Sequence, residues 1–224
     1  MLLIGLLVGS VSTTLLNPLV GIVVLIGGFP IYWNLWRRWR WASEGAKGEF
    51  ETAVLLARLP AEFTVFNDIP LNGFNVDHVI VGPSGVWAIE TKSHAGFVDV
   101  SAFGVRVNGR LMYRDPCRQA RRNAAEIGDL VESAIGVRYW VEALVCFPRA
   151  NVSPLPAPGQ SPVIGSEGLL TRIRSGSTRL SPPVCARIAD VLCAIQGAAR
   201  QPPPVRHVPD GTHAKEIASA RPSR

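Results

Sequence analysis

The sequence predicts an α/β domain, a mixed sheet flanked by helices, preceded by an N-terminal transmembrane segment. Three observations carry this expectation. Met1 to Trp36 contains no charged side chain, residues 63–113 break into short segments rich in β-branched and aromatic residues, and at residue 115 the apolar period lengthens from two to about 3.6.

The apolar run ends at "RRWRW", residues 37–41. It exceeds one untilted span of about 20 residues, and Asn17-Pro18 interrupts it, so a single span and a short helical hairpin both fit. It has neither the basic start nor a clear small-residue cleavage site of a secretory signal, so it reads as a retained anchor over residues 1–41. Arg37, Arg38 and Arg40 directly follow the run, which puts the remainder of the chain in the cytoplasm, and Trp33, Trp36, Trp39 and Trp41 fit an interfacial belt. The expected location is the cell membrane, with the lipid bilayer as partner of residues 1–36.

Residues 42–199 read as one domain. "KGEFETAVLLARL", residues 47–59, is a helix stopped by Pro60, and Phe63 to Ile69 is a strand. Val76–Val81 and Val86–Lys92 form a hairpin around Gly82, Pro83, Ser84 and Gly85. Gly96–Val100 and Val105–Tyr113 continue the strands. Asp115 caps a helix with Pro116 in its first turn, and Ala120, Ala124, Ile127, Val131 and Ala134 form its apolar stripe. Residues 139–147 return to strand, "SPVIG" is a short strand, and "SEGLLTRIRSG" and "PPVCARIADVLCAIQG" are helices. Residues 200–224, rich in Pro and polar residues, read as a disordered tail.

The net charge of +6 is not spread over the domain, because residues 42–199 hold 15 basic and 15 acidic side chains. A high isoelectric point therefore does not by itself mark the domain as nucleic-acid binding. A local patch does exist: Arg106, Arg110, Arg114, Arg118, Arg121 and Arg122 face only Asp115 in sequence. It fits a phosphate-binding surface as well as a solvated helix face. Cys117, Cys146, Cys185 and Cys193 lack zinc-site spacing and are expected to stay thiols in a cytoplasmic domain.

The hairpin carries the chemistry. If Val81 and Val86 pair first, Asp77 falls opposite Glu90, and Lys92 points to the same face. Opposed like charges destabilise a sheet, and a divalent cation relieves that repulsion. Mg²⁺ is commonly held by one or two carboxylates plus substrate phosphate, so the pattern suits phosphodiester hydrolysis. A salt bridge on a solvated hairpin face fits the spacing equally well. His78 points away from Asp77 and reads as structural.

"GEFETAVLLARL", "VDHVIVGPSGVWAIETK" and "DPCRQARRN", in this order, resemble the motifs of the nuclease-related domain, NERD, a family grouped with the restriction-endonuclease-like PD-(D/E)XK nucleases. The resemblance spans roughly residues 45–150, and here Val76 stands where the wider signature has proline. It implies a restriction-endonuclease-like fold and a metal-dependent nuclease using Mg²⁺ or Mn²⁺. Asp77 and Glu90 would be metal ligands, Thr91 would offer its backbone carbonyl, and Lys92 would activate water or stabilise charge. Glu49 would reach the metal directly or through water, and Gln119 would position water or phosphate. Arg114, Arg118, Arg121 and Arg122 would meet nucleic acid, DNA in preference to RNA. A non-catalytic scaffold binding nucleic acid or protein at the membrane is the rival reading, and an RNA-directed enzyme a third.

Overall fold

The computed structural model describes residues 18–71, 73–101, 103–153, 162–176 and 179–200. The part of the expected anchor before Pro18 and the expected tail from Gln201 lie outside these residues. Among the described residues no helix is long and apolar enough to cross a membrane.

Helix α1, Pro18–Leu56, is 39 residues long, so it extends roughly 58 Å. The sequence reading divides anchor from domain at residues 41 and 42, whereas the structure runs one helix through that point. Gly45 and Gly48 cost helix propensity but do not break the backbone ladder, which runs through Pro30 as well and ends at Leu56, four residues before Pro60. Six strands precede the next helix's cap: β1 (Thr64–Leu71), β2 (Phe74–Gly82), β3 (Gly85–Thr91) and the meander β4 (Gly96–Ser101), β5 (Gly104–Val107) and β6 (Arg110–Leu111). Helix α2 (Pro116–Ile135) follows, then β7 (Val141–Phe147), β8 (Ala150–Val152), β9 (Val163–Gly165), α3 (Ser166–Arg174) and α4 (Pro182–Arg200).

The strands form two sheets where the sequence suggests one. A five-stranded mixed sheet has the order β1-β2-β3-β7-β9, and β6-β5-β4-β8 make a second sheet. The separation comes from β8, a strand absent from the sequence reading, which pairs in parallel with β4 and gives the meander an edge partner of its own. Strand β3 is the centre of the main sheet, antiparallel to β2 and parallel to β7, and all seven of its residues are buried. Burial on both faces explains why "GVWAIET" is apolar almost throughout.

Two layers cover the main sheet. On one face Val79, Val81, Val86 and Ala88 pack with Ala124, Ile127 and Val131 of α2 and Ile188 and Leu192 of α4. On the other, Ile80, Trp87, Ile89 and Leu144 pack with Leu56 of α1 and Leu169 and Ile173 of α3. A third cluster joins Val98, Val100 and Val105 of the second sheet to Cys117 and Ala120 of α2 and to Val145 and Phe147 of β7. Ala134, expected in the apolar stripe of α2, is exposed instead. The stripe instead steps from Val131 to Ile135, one full turn on, which packs against the core before Gly136 ends the helix with φ 77°.

Two devices seat α1 on the end of β3. Gly48 is buried so close to Ser93 that a Cβ there would stand 2.8 Å from the serine Cβ. Arg149, in the turn after β7, donates to both carboxylate oxygens of Glu51 from Nε, at 2.7 and 3.0 Å, and reaches Glu44 at 3.0 Å. The two-pronged grip ties helix to strand where a single exposed pair would contribute little.

Leu144 is fully enclosed between β3, α1 and α3. Leu144→Ala should lower the unfolding free energy by about 2–5 kcal/mol, read from denaturant midpoints at unchanged slope; a loss under 1 kcal/mol would mean that the site collapses around the truncation.

Candidate active site

Strand β3 delivers Glu90 and Thr91 at its C-terminal end, with Lys92 one residue beyond. The β2–β3 register pairs Val81 with Val86 and His78 with Ile89, as the turn residues of the hairpin predict, and it brings Asp77 beside Glu90 and Thr91. The Thr91 amide donates to Asp77 Oδ2 at 2.7 Å. This bond fixes the first carboxylate against the strand that carries the second.

A local distortion aims Asp77. The β1–β2 ladder omits the Asp68–Asp77 pair, and Asp68 takes φ 57°, a conformation uncommon outside glycine, held by a 2.6 Å bond from Asn75 Nδ2. Val76 and Val79, three residues apart, consequently both enter the α2 side of the core, as do Phe66 and Ile69. Regular alternation would put each pair on opposite faces. His78 turns away from the carboxylates, buried, with Nδ1 2.8 Å from Asn67 Oδ1; burial depresses its pKa to about 4, so the ring is neutral and structural.

Glu90 is 3% exposed, and each of its oxygens has a partner. Lys92 Nζ donates to Oε1 at 2.6 Å and Asn123 Nδ2 donates to Oε2 at 3.0 Å. Lys92 also donates to Gln119 Oε1 at 3.1 Å. Gln119 and Asn123 lie one turn apart on α2, which is anchored by the Asp115 carboxylate accepting from the Cys117 amide at 2.9 Å. Helix α2 thus holds both members of the Glu90–Lys92 pair. Asn123 had only its spacing from Gln119 to mark it in sequence; its burial and its bond to Glu90 are products of packing.

Glu49 approaches from α1 with an exposed side chain. Its pKa is raised by partial burial and by the charges of Asp68 and Glu90, against the pull of Lys92, so it belongs to the same field. Asp77 is raised to about 7, first by burial, then by Glu90 and Glu49, and lowered in part by the Thr91 amide and Lys92. The cluster therefore holds more negative charge than Lys92 offsets. Hard oxygen donors with surplus negative charge fit Mg²⁺ or Mn²⁺. No three His, Cys, Asp or Glu side chains are gathered into a closed metal cage among the described residues. Two carboxylates that leave room for water and phosphate oxygens are the usual protein share of a Mg²⁺ site. Arg114, Arg118, Arg121 and Arg122 are exposed around the first turns of α2, with the Arg122 guanidinium 4.2 Å above the Phe74 ring.

The family model described as nuclease-related domain, NERD, matches residues 44–148. These residues, somewhat under half of the chain, are similar to the nuclease-related domain family. The NERD span runs from the last turns of α1 to the residue after β7, and it contains Glu49, Asp77, Glu90, Lys92, Gln119 and Asn123. Among solved structures, a repair endonuclease from Pyrococcus abyssi aligns at 15% identity and a TM-score of 0.27, over 63% of this chain and 47% of its own. The chain thus aligns with about half the length of that protein. No curated protein matches.

The raised pKa of Asp77 has a stability consequence of fixed sign. Between the unfolded value of 3.8 and the folded value of about 7 the native state binds more protons than the unfolded state, so ionising Asp77 costs stability as pH rises through that window. Asp77→Asn should match the parent in melting temperature near pH 4 and exceed it increasingly up to about pH 7, with a constant gap above. A gap independent of pH would remove Asp77 as the strained carboxylate.

Proposed function

We propose that this NERD-like domain is a metal-dependent nuclease that hydrolyses phosphodiester bonds in DNA, held at the cytoplasmic face of the cell membrane by residues 1–36. The observation that carries the catalytic reading is the meeting of Asp77, Glu90 and Lys92 at the end of one buried strand, with Gln119 and Asn123 fixing the last two. Similarity to the family supports a nuclease-like activity; metal, DNA and membrane are parts of our reading.

Asp77 and Glu90 would hold Mg²⁺ or Mn²⁺ together with the Thr91 carbonyl, and Glu49 would join from α1 directly or through water. Such a cation supplies positive charge to the phosphate and lowers the pKa of a bound water. Lys92 keeps its ammonium beside Glu90 and faces the charge that grows on the phosphoryl oxygens as water adds and the P–O bond breaks. Gln119 holds that ammonium in place, and Asn123 keeps Glu90 from turning away. The exposed arginines along α2 offer sequence-independent contacts to the phosphate backbone.

The anchor rests on the charge-free run, its Arg37, Arg38 and Arg40 boundary, and the tryptophans beside it. Phe29, Trp33 and Trp36 stack in series and Arg40 lies over Trp36, 5.3 Å from the ring centre, an arrangement suited to a headgroup layer. Because α1 is continuous, an embedded N-terminal half would hold Glu49 at a set height above the bilayer. Full-length protein should partition with membranes and require detergent for release; recovery in the aqueous fraction would refute the anchor.

The decisive experiment is plasmid nicking and linear-DNA degradation by the detergent-solubilised chain with Mg²⁺ or Mn²⁺. Cleavage should require the cation, and Asp77→Asn and Lys92→Ala should each lower the rate by about 100-fold or more. A folded protein that binds nucleic acid but leaves DNA uncut would establish the scaffold reading.

A further inference from the structure

The second sheet turns one face inward and leaves the other uncovered. Val98, Val100 and Val105 point into the third core cluster, while the alternate residues of the same strands point to solvent. On that outer side Phe97 is 52% exposed and Leu111 56%, Tyr113 just past β6 is fully exposed, and Phe103 in the β4–β5 turn is 83% exposed. Three aromatic rings and a leucine in water on one small meander are an uncommon expense for a folded domain.

Their neighbours are basic. The registers set Arg106 between Asp99 and Leu111 on this outer side, and Arg114 follows Tyr113; Arg110 pairs with Val107 and so belongs to the other side of the edge strand, and all three arginines are exposed. Between residues 96 and 114 the only acidic side chain is Asp99. The face is linked to the site along the chain: Phe97 is five residues past Lys92, and Arg114 precedes the Asp115 cap of the helix that carries Gln119. Exposed aromatics with interleaved arginines on a sheet are what a single-stranded polynucleotide needs, because unpaired bases stack on rings while guanidinium groups follow the phosphates. A duplex hides its bases and cannot use the rings.

We propose that the outer face of β4, β5 and β6 binds single-stranded DNA and leads it to the Asp77–Glu90–Lys92 site. The assignment to a substrate rests on the nuclease reading; the binding itself does not. DNA is favoured over RNA because the neutral polar side chains here serve the meander's own backbone. Ser101 Oγ donates to the Gly104 carbonyl, and Asn108 accepts from the Phe97 amide and donates to the Ala95 carbonyl, which leaves little to read a 2′-hydroxyl.

The test is fluorescence anisotropy with the full-length chain in detergent and EDTA, using labelled 15-mers of oligodeoxythymidylate, oligouridylate and a DNA duplex. Oligodeoxythymidylate should bind most tightly. The triple variant Phe97→Ala, Phe103→Ala, Tyr113→Ala changes only exposed side chains and should weaken that binding at least tenfold, in line with about fivefold or more per stacked base, with little effect on the duplex. Arg106→Gln should weaken it and flatten its salt dependence. Unchanged single-strand affinity in the triple variant would overturn the proposal, as would tighter binding of oligouridylate or of the duplex. A triple variant that loses only affinity for anionic phosphatidylserine vesicles would reassign the face to the membrane and overturn it too. Loss of strand binding in a protein that cleaves no DNA would sustain this proposal and refute the nuclease reading alone.

Discussion

A carboxylate buried at the end of the central strand organises this protein. Leaving Glu90 charged and unpaired in so enclosed a position would cost several kcal/mol, so the fold has to bring partners to it. It does so from two directions: Lys92 from just beyond the strand's end and Asn123 from α2. Docking of α2 is therefore both a packing event, through Ala124, Ile127 and Val131, and an electrostatic one. The Asp115 cap and Pro116 matter to the site for this reason, since they fix where the helix starts and hence where Gln119 and Asn123 fall.

Charge balance at the site is incomplete by construction. Glu90 is satisfied, but Asp77 and Glu49 both feel it, and Asp68 adds its charge through a strained stretch of β1. A domain selected for stability alone would neutralise or remove one of these groups. Retaining them beside Lys92 produces a site whose repulsion is relieved by binding positive charge, which is what a phosphodiester-cleaving centre requires of its cation. The four glutamate and aspartate contributors come from α1, β1, β2 and β3, so the helix and the sheet must both be in place before the field exists.

Helix α1 links that field to whatever its N-terminal half contacts. Gly48 permits contact with Ser93, Arg149 grips Glu51 and Glu44, and Leu56 seals the core, so Glu49 is carried on a segment fixed at three points. The second sheet is placed by a different logic. Its inner valines fill the space left beside α2 and β7, and its outer rings remain in water.

Local chemistry made some of this readable in advance. The four turn formers from Gly82 to Gly85 set the hairpin register, the register put Asp77 by Glu90, and Asp115-Pro116 announced the start of α2, because turns and caps are decided within a few residues. The α/β class and the three NERD motifs were likewise visible in the chain. Other features depended on partners far away in sequence. The split into two sheets required β8 to reach β4, the exposure of Ala134 followed from α2 seating Ile135 on the core in its place, and the continuity of α1 across residue 41 depended on no residue that breaks a helix. The kink at Asp68 and the bond from Asn123 to Glu90 had no local signature at all. Sequence determined which side chains could do chemistry, since that is a property of residue type and strand spacing; only the tertiary structure decided which of them share a burial, a partner and a field.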